Sequence, residues 1–115
     1  MTSASDLHAG IQRLPGVTGA AVWRVGEIPT GDLGGRGGSI GPGLLSASIG
    51  TMEQAVETTG LGQIAEIWFV TQDTQCLALR SGQWQAVVIG GLELDVDNVR
   101  DSLTSLLAAN DEPGA

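Results

Sequence analysis

The sequence predicts an α/β fold of the α+β type, in which a five-stranded antiparallel sheet lies between helices in the order α-β-β-α-β-β-β-α. Three segments repeat apolar residues at intervals of three and four, as amphipathic helices do. Five shorter segments are rich in β-branched and other apolar residues and are separated by turn signals. One of them contains an apolar run at residues 67–70, which indicates a strand that is covered on both faces.

The N-terminal part predicts a helix followed by two strands. Ser5 is placed to cap a helix over residues 6–14, whose apolar residues recur on one face. The segment VTGAAVWRV, residues 17–25, predicts the first strand, and a brief second strand follows near residues 27–30. Because Pro29 has no backbone N–H to donate, this second strand should be short and should lie at an edge of the sheet.

A glycine-rich stretch, GDLGGRGGSIGPGLL at residues 31–45, precedes the second helix. A Walker-type phosphate loop requires a lysine, and this chain contains none. A dinucleotide-binding turn should follow a buried strand directly, whereas these glycines follow Pro29. We therefore expect a flexible connector, then a helix that begins at Pro42 and ends at Gly60.

The C-terminal part predicts an antiparallel meander and a closing helix. The three strands are expected at residues 63–72, 75–80 and 83–90, because short polar turns separate them. Asp95 is placed to cap the last helix, whose apolar residues recur at intervals of three and four. The polar residues 111–115 should form a flexible acidic tail.

Size and charge limit the classes of function. The 115 residues suffice for one domain, expected over residues 1–110. The net charge of −8 repels nucleic acid, and the five arginines are scattered rather than clustered. The N-terminus does not resemble a signal peptide, and no segment approaches 18 apolar residues, so we expect a cytoplasmic protein without membrane insertion.

The residues available for catalysis are few, since the chain has no lysine or tyrosine, one histidine and one cysteine. His8 is expected to be a solvated side chain of the first helix, and only the fold could bring it to Cys76 as a nucleophile and base. The acidic segment ELDVDN, residues 93–98, lacks the glycine and the distant glutamate of a calcium loop. We therefore expect no enzyme activity, no cofactor and no metal.

Three segments give the chain a resemblance to a known family. They are LPGVTGAAV at residues 14–22, GLGQIAEIWFV at residues 60–70 and VDNVRDSLTSLL at residues 96–107. In this order and spacing they resemble the roadblock family of dynein light chains and bacterial MglB-like regulators of small GTPases. The chain departs from the family in its second strand, where RVGEIPT at residues 24–30 replaces a fuller strand.

The resemblance implies a roadblock (profilin-like) architecture and a function. It implies a homodimer whose third strands pair across a two-fold axis to form one ten-stranded sheet, with the second helices side by side. It also implies a non-catalytic, bacterial-type regulator or scaffold that binds a small Ras-like GTPase. The partner in the dimer could be a second copy or a roadblock paralogue. The alternative is a small-molecule sensing or structural adaptor module of the same fold.

On this resemblance, Trp68 is the expected anchor of the interface, although packing inside one subunit is the competing interpretation. The candidate dimer interface comprises Ile64, Glu66, Trp68, Val70 and Gly50. Ala65, Ile67 and Phe69 should lie on the opposite face of the strand. Gly50 would let two helices approach closely, or is simply tolerated. The candidate partner platform on the second helix comprises Ile49, Glu53 and Glu57, whose acids could equally form a solvated helix face.

Overall fold

The computed structural model describes residues 3–32 and 41–110. The central part of the expected connector, residues 33–40, and the expected tail, residues 111–115, lie outside the described residues.

The described elements follow the predicted order. They are α1 (Ala4–Gln12), β1 (Val17–Arg24), β2 (Thr30–Asp32), α2 (Gly41–Thr58), β3 (Glu66–Val70), β4 (Gln75–Ser81), β5 (Trp84–Gly90) and α3 (Val96–Ala109). The strands form one antiparallel sheet in the spatial order β2-β1-β5-β4-β3, so β2 and β3 are its two edges. The predicted fold class is confirmed.

Both ends of the first predicted helix are displaced. The N-cap is Ser3 rather than Ser5, because the Ser3 hydroxyl accepts a hydrogen bond of 3.1 Å from the backbone N–H of Asp6. The helix therefore begins at Ala4 and ends at Gln12, two residues before the predicted end. Two serines stand near the start of this helix, and the sequence does not distinguish between them as caps.

The edge strands also differ from their predicted bounds. β2 begins at Thr30, so Pro29 precedes the strand instead of lying within it. β3 spans five residues, fewer than the ten predicted at residues 63–72. The last helix begins as predicted, since the Asp95 carboxylate accepts a hydrogen bond of 3.1 Å from the N–H of Asn98.

Helices cover the sheet on both faces and divide the core into two layers. α1 and α3 pack on one face, here called the α3 side, where Trp84 is buried and its indole N–H donates to the Asn110 carbonyl at 2.9 Å. α2 packs on the other face, here called the α2 side. The buried residues on the α2 side are Ala21, Trp23, Ile49, Cys76, Ala78 and Val87.

His8 holds the β2 edge against α1. Its Nε2 lies 3.0 Å from the Ala20 carbonyl oxygen, and the half-buried ring lies against Gly31 of β2. Gly31 has a φ of +99°, and a Cβ built there would also lie 2.6 Å from the Ala20 oxygen. The expectation of a solvated histidine is wrong, because the His8 ring occupies the space where a side chain at residue 31 would lie.

Candidate functional site

The β3 edge presents a row of apolar side chains to solvent. Trp68 is 50% exposed, Phe69 45% and Val70 51%. The sequence predicted a strand covered on both faces, and within one chain this is wrong, since α2 and α3 leave most of β3 uncovered. Long apolar edge strands are rarely left open in native proteins, because their free backbone groups promote pairing with other chains.

The backbone of β3 is also oriented for pairing. Thr71 N–H donates to the Thr74 carbonyl at 2.8 Å, and Arg80 N–H donates to the Ala65 carbonyl at 2.9 Å. In an antiparallel ladder, hydrogen-bonded pairs alternate with pairs whose N–H and C=O groups point the other way. Counting from these two bonds, residues 66, 68 and 70 direct their backbone groups away from β4 and toward solvent.

The register assigns each β3 side chain to a face. Trp68 is opposite Leu77, a residue of the core on the α3 side. Phe69 is opposite Cys76, which belongs to the core on the α2 side. The predicted alternation of faces therefore holds from Glu66 to Val70, whereas Ile64 and Ala65 precede the strand.

An ion pair braces β3 against α3. The Arg100 guanidinium donates to the Glu66 carboxylate at 2.5 Å and to the Asp97 carboxylate at 2.7 Å. The hydrogen bond to Glu66 raises the pKa of Arg100 above its ordinary value. Because the pair is exposed, screening by water reduces its contribution to stability. Sequence reasoning missed Arg100 in this role, because a contact between residues 34 positions apart leaves no local signal.

A buried glutamine fixes the chain next to β3. The Gln75 side-chain nitrogen lies 3.1 Å from the carbonyl oxygens of Gly91, Leu92 and Leu94, which share its two N–H donors. Gln75 is opposite Val70 in the β-ladder, so the connection between β5 and α3 lies beside the end of β3. This residue was also absent from the sequence prediction.

The candidate residues of α2 divide into surface and core. Ile49 is 3% exposed and packs in the core on the α2 side, so it is not available at the surface. Glu53 lies 3.5 Å from Arg80 of β4 in an ion pair, and Glu57 is exposed. A Cβ built at Gly50 would meet none of the described atoms within 4 Å. Gly50, Glu53 and Glu57 share one helix flank, which the contact with Arg80 turns toward the β3 end of the sheet.

The two residues considered for nucleophilic catalysis lie on opposite sides of the sheet. Cys76 packs on the α2 side, while His8 belongs to α1 on the α3 side. Burial raises the pKa of Cys76 to about 11, which disfavours the reactive thiolate. Within residues 3–32 and 41–110, no group of three or more His, Cys, Asp or Glu residues is suited to hold a metal ion. None of the described helices is long and apolar enough to cross a membrane.

An open cleft of about 350 Å³ lies next to the start of β3. Its lining residues are Gln63, Ile64, Ala65, Arg80 and Gly82. The cleft combines one guanidinium and a carboxamide with the apolar side chains of Ile64 and Ala65, so it has room for a small polar ligand.

Solved structures share this arrangement of helices and strands. The Roadblock/LC7 domain from Streptomyces avermitilis has a TM-score of 0.71 and 18% identity, covering 90% of each chain. Myxococcus xanthus MglB has a TM-score of 0.71 and 12% identity, covering 94% of this chain and 96% of its own. A structure of MglB with a tetrameric arrangement has a TM-score of 0.70 and 11% identity, covering 92% of this chain and 85% of its own.

Comparisons of sequence alone gave no match: no family model matches the chain, and no curated protein does. The structural matches cover most of both chains at low identity. The chain therefore has the roadblock fold, as the resemblance implied.

Proposed function

We propose that this protein is a non-catalytic, homodimeric regulator or scaffold that binds a small Ras-like GTPase. The observation that carries the proposal is the β3 edge, which combines exposed apolar side chains with outward backbone groups in a domain of the roadblock fold. The resemblance to the roadblock family, which includes regulators of such GTPases, supplies the class of partner.

A second copy of the chain is the best occupant of the β3 edge. Two β3 strands in antiparallel orientation would satisfy each other's N–H and C=O groups at residues 66, 68 and 70. The same pairing would place Trp68 beside its symmetry mate and bury the edge of the ring that faces the two-fold axis, and central aromatic residues dominate interface energetics. Self-association also occurs in an MglB structure of this fold, which has a tetrameric arrangement.

The flank of α2 that faces the β3 end would then lie near the two-fold axis. Gly50 would allow the two helices to approach there, since it leaves open space at its surface. Glu57 is the exposed acid of this flank and is our choice for contact with a basic patch of the GTPase. Glu53 is already paired with Arg80 and would contribute less, and Ile49 is left out because it is buried.

The test is affinity capture from native lysate, run in parallel with GDP and with a non-hydrolysable GTP analogue. Wild type is compared with Glu57→Lys on α2 and with Asp101→Lys on α3, two exposed sites with the same change of charge. We expect a small GTPase to be enriched with one nucleotide by wild type and Asp101→Lys, and roughly tenfold less by Glu57→Lys. If a stable wild-type dimer captures no GTPase with either nucleotide, the proposed partner class is wrong.

The open cleft beside β3 supports the alternative of small-molecule sensing. This function predicts that a polar metabolite raises the melting temperature of the purified protein, because a ligand that binds only the folded state stabilises it. Arg80→Met should abolish such a shift, since Arg80 lines the cleft. Absence of any shift across a metabolite panel, together with GTPase capture, would dispose of this alternative.

A further inference from the structure

We propose that the α3 side of the β3 edge is a second docking surface, which takes a basic amphipathic segment of a protein partner. The surface has an apolar strip, formed by Trp68, Val70 and Leu92, and an acidic rim, formed by Glu93, Asp97 and Asp101. The inference rests on the proposed homodimer, because pairing of β3 joins the strips of two copies into one surface.

The strip is exposed because α3 packs mainly over β4. Trp68 and Val70 face the α3 side and are about half exposed, while Leu92 is 54% exposed. Gln75 is opposite Val70 and donates to the Leu92 carbonyl, which brings the backbone of Leu92 near the end of β3. Pairing of two β3 strands would cover the backbone edge and the side of each Trp68 ring that faces the two-fold axis, but it would leave the outer faces of these side chains open on the α3 side.

The rim gives this surface a negative charge. Arg100 reaches Glu66, so the flank of α3 that carries Asp97 is turned toward β3. The Asp97 side chain is 92% exposed, and Glu93 and Asp101 are exposed as well. Arg100 pairs with Glu66 and Asp97; together with the charges of Glu93 and Asp101, the four carboxylates and one guanidinium sum to a charge of −3 in each copy.

This combination selects the chemistry of the partner. Nucleic acid and anionic membranes are repelled by the rim. A segment with apolar residues on one face and Lys or Arg on the other matches both the strip and the rim. Since the proposed GTPase platform is on the α2 side, the dimer would hold two different partners on opposite faces of one sheet.

The experiment uses fluorescence anisotropy of an 18-residue labelled peptide with leucines on one helical face and lysines on the other. Wild type is compared with the rim variant Asp101→Lys and with the control Glu27→Lys, an exposed acid away from the rim with the same change of charge. We expect the rim variant to bind at least about tenfold more weakly and the control to stay within about twofold of wild type. Raising the salt concentration should weaken wild-type binding, and a scrambled peptide should bind more weakly.

Equal binding by wild type and the rim variant, or no binding by wild type, would overturn the proposal. The molar mass and circular dichroism of each protein identify any variant that fails to fold, and salt dependence in wild type does not rely on a variant. A monomeric wild type would overturn both proposals. A dimer that captures a GTPase but shows no rim-dependent peptide binding would overturn only the second surface.

Discussion

The two edges of the sheet differ in how they are protected. At one edge, β2 has three residues and follows Pro29. The His8 ring packs against Gly31 of this strand. At the other edge, β3 has five residues, contains no proline and leaves Trp68 half exposed. Short strands and nearby prolines are devices by which proteins prevent unwanted pairing. Only the β2 edge has them, which suggests that the β3 edge is kept open for a specific partner.

The largest expected effect is on self-association when the β3 edge is altered. Trp68→Asp should raise the dimer dissociation constant about 1,000-fold, equivalent to roughly 4 kcal/mol. The substitution removes the aromatic anchor and brings two carboxylates, one from each copy, together at the two-fold axis. The measurement is molar mass by light scattering over a concentration series. The matched control is Ile28→Asp near the β2 edge, where the side chain is 88% exposed and where we expect no change.

The backbone of β3 offers a second test of the same edge. Val70→Pro removes an outward N–H, so it should weaken the dimer while the chain stays folded. Phe69→Pro removes an N–H of the ladder with β4 and should destabilise the fold itself. A Trp68→Asp protein that remains dimeric at micromolar concentration would refute the proposed interface.

The next effect concerns Cys76, the inward neighbour of Phe69 at the β3 edge. A rise of its pKa from 9.0 to about 11 lowers the thiolate fraction at neutral pH about 100-fold, so alkylation should slow by that factor against an exposed thiol. The Cys76 thiol of the folded state keeps its proton to a higher pH than the thiol of the unfolded state. The free energy of unfolding should therefore fall as the pH rises from 9 to 11.

The chain has no lysine or tyrosine side chain to titrate in that range, so Cys76→Ala should remove the slope. The comparison is made by urea unfolding at several pH values. Fast alkylation at neutral pH would contradict the burial of Cys76.

A smaller effect is expected at the protected edge. Gly31→Ala should lower the free energy of unfolding by about 2 kcal/mol, because a Cβ would meet His8 and the Ala20 carbonyl at a positive φ. The dimer should be unchanged. Gly26→Ala is the control, since φ is +93° there but a Cβ would meet none of the described atoms within 4 Å. If both variants lose the same stability in urea unfolding, the contact with His8 contributes nothing.

The smallest effect is expected from the brace between α3 and β3. Arg100→Met keeps the length of the side chain but removes its ion pairs, and exposed ion pairs contribute little. The dimer dissociation constant should therefore change less than about threefold in the light-scattering series. A change of more than about tenfold would mean that Arg100 sets the geometry of β3 for pairing.

Local patterns predicted the element order, the Asp95 cap and the alternation of faces along β3, because each depends on neighbouring residues. They did not predict that Ser3 caps α1, since the two serines offer the same chemistry. Contacts between distant residues, such as that of Arg100 with Glu66, are set by the tertiary fold. The apolar run at residues 67–70 was correctly predicted to be a strand, but it was predicted to be buried by helices of the same chain. An apolar strand has the same sequence whether its own helices or a second copy cover it.

The three tryptophans give this molecule a spectroscopic property that follows from their unequal burial. Trp23 and Trp84 are each 2% exposed, Trp68 is 50% exposed, and there is no tyrosine to add emission. Solvent contact shifts indole emission to longer wavelength, so the red edge of the intrinsic fluorescence reports on Trp68. Dilution of the proposed dimer would shift the spectrum to the red without any attached dye, and the Trp68→Phe protein would lack that component.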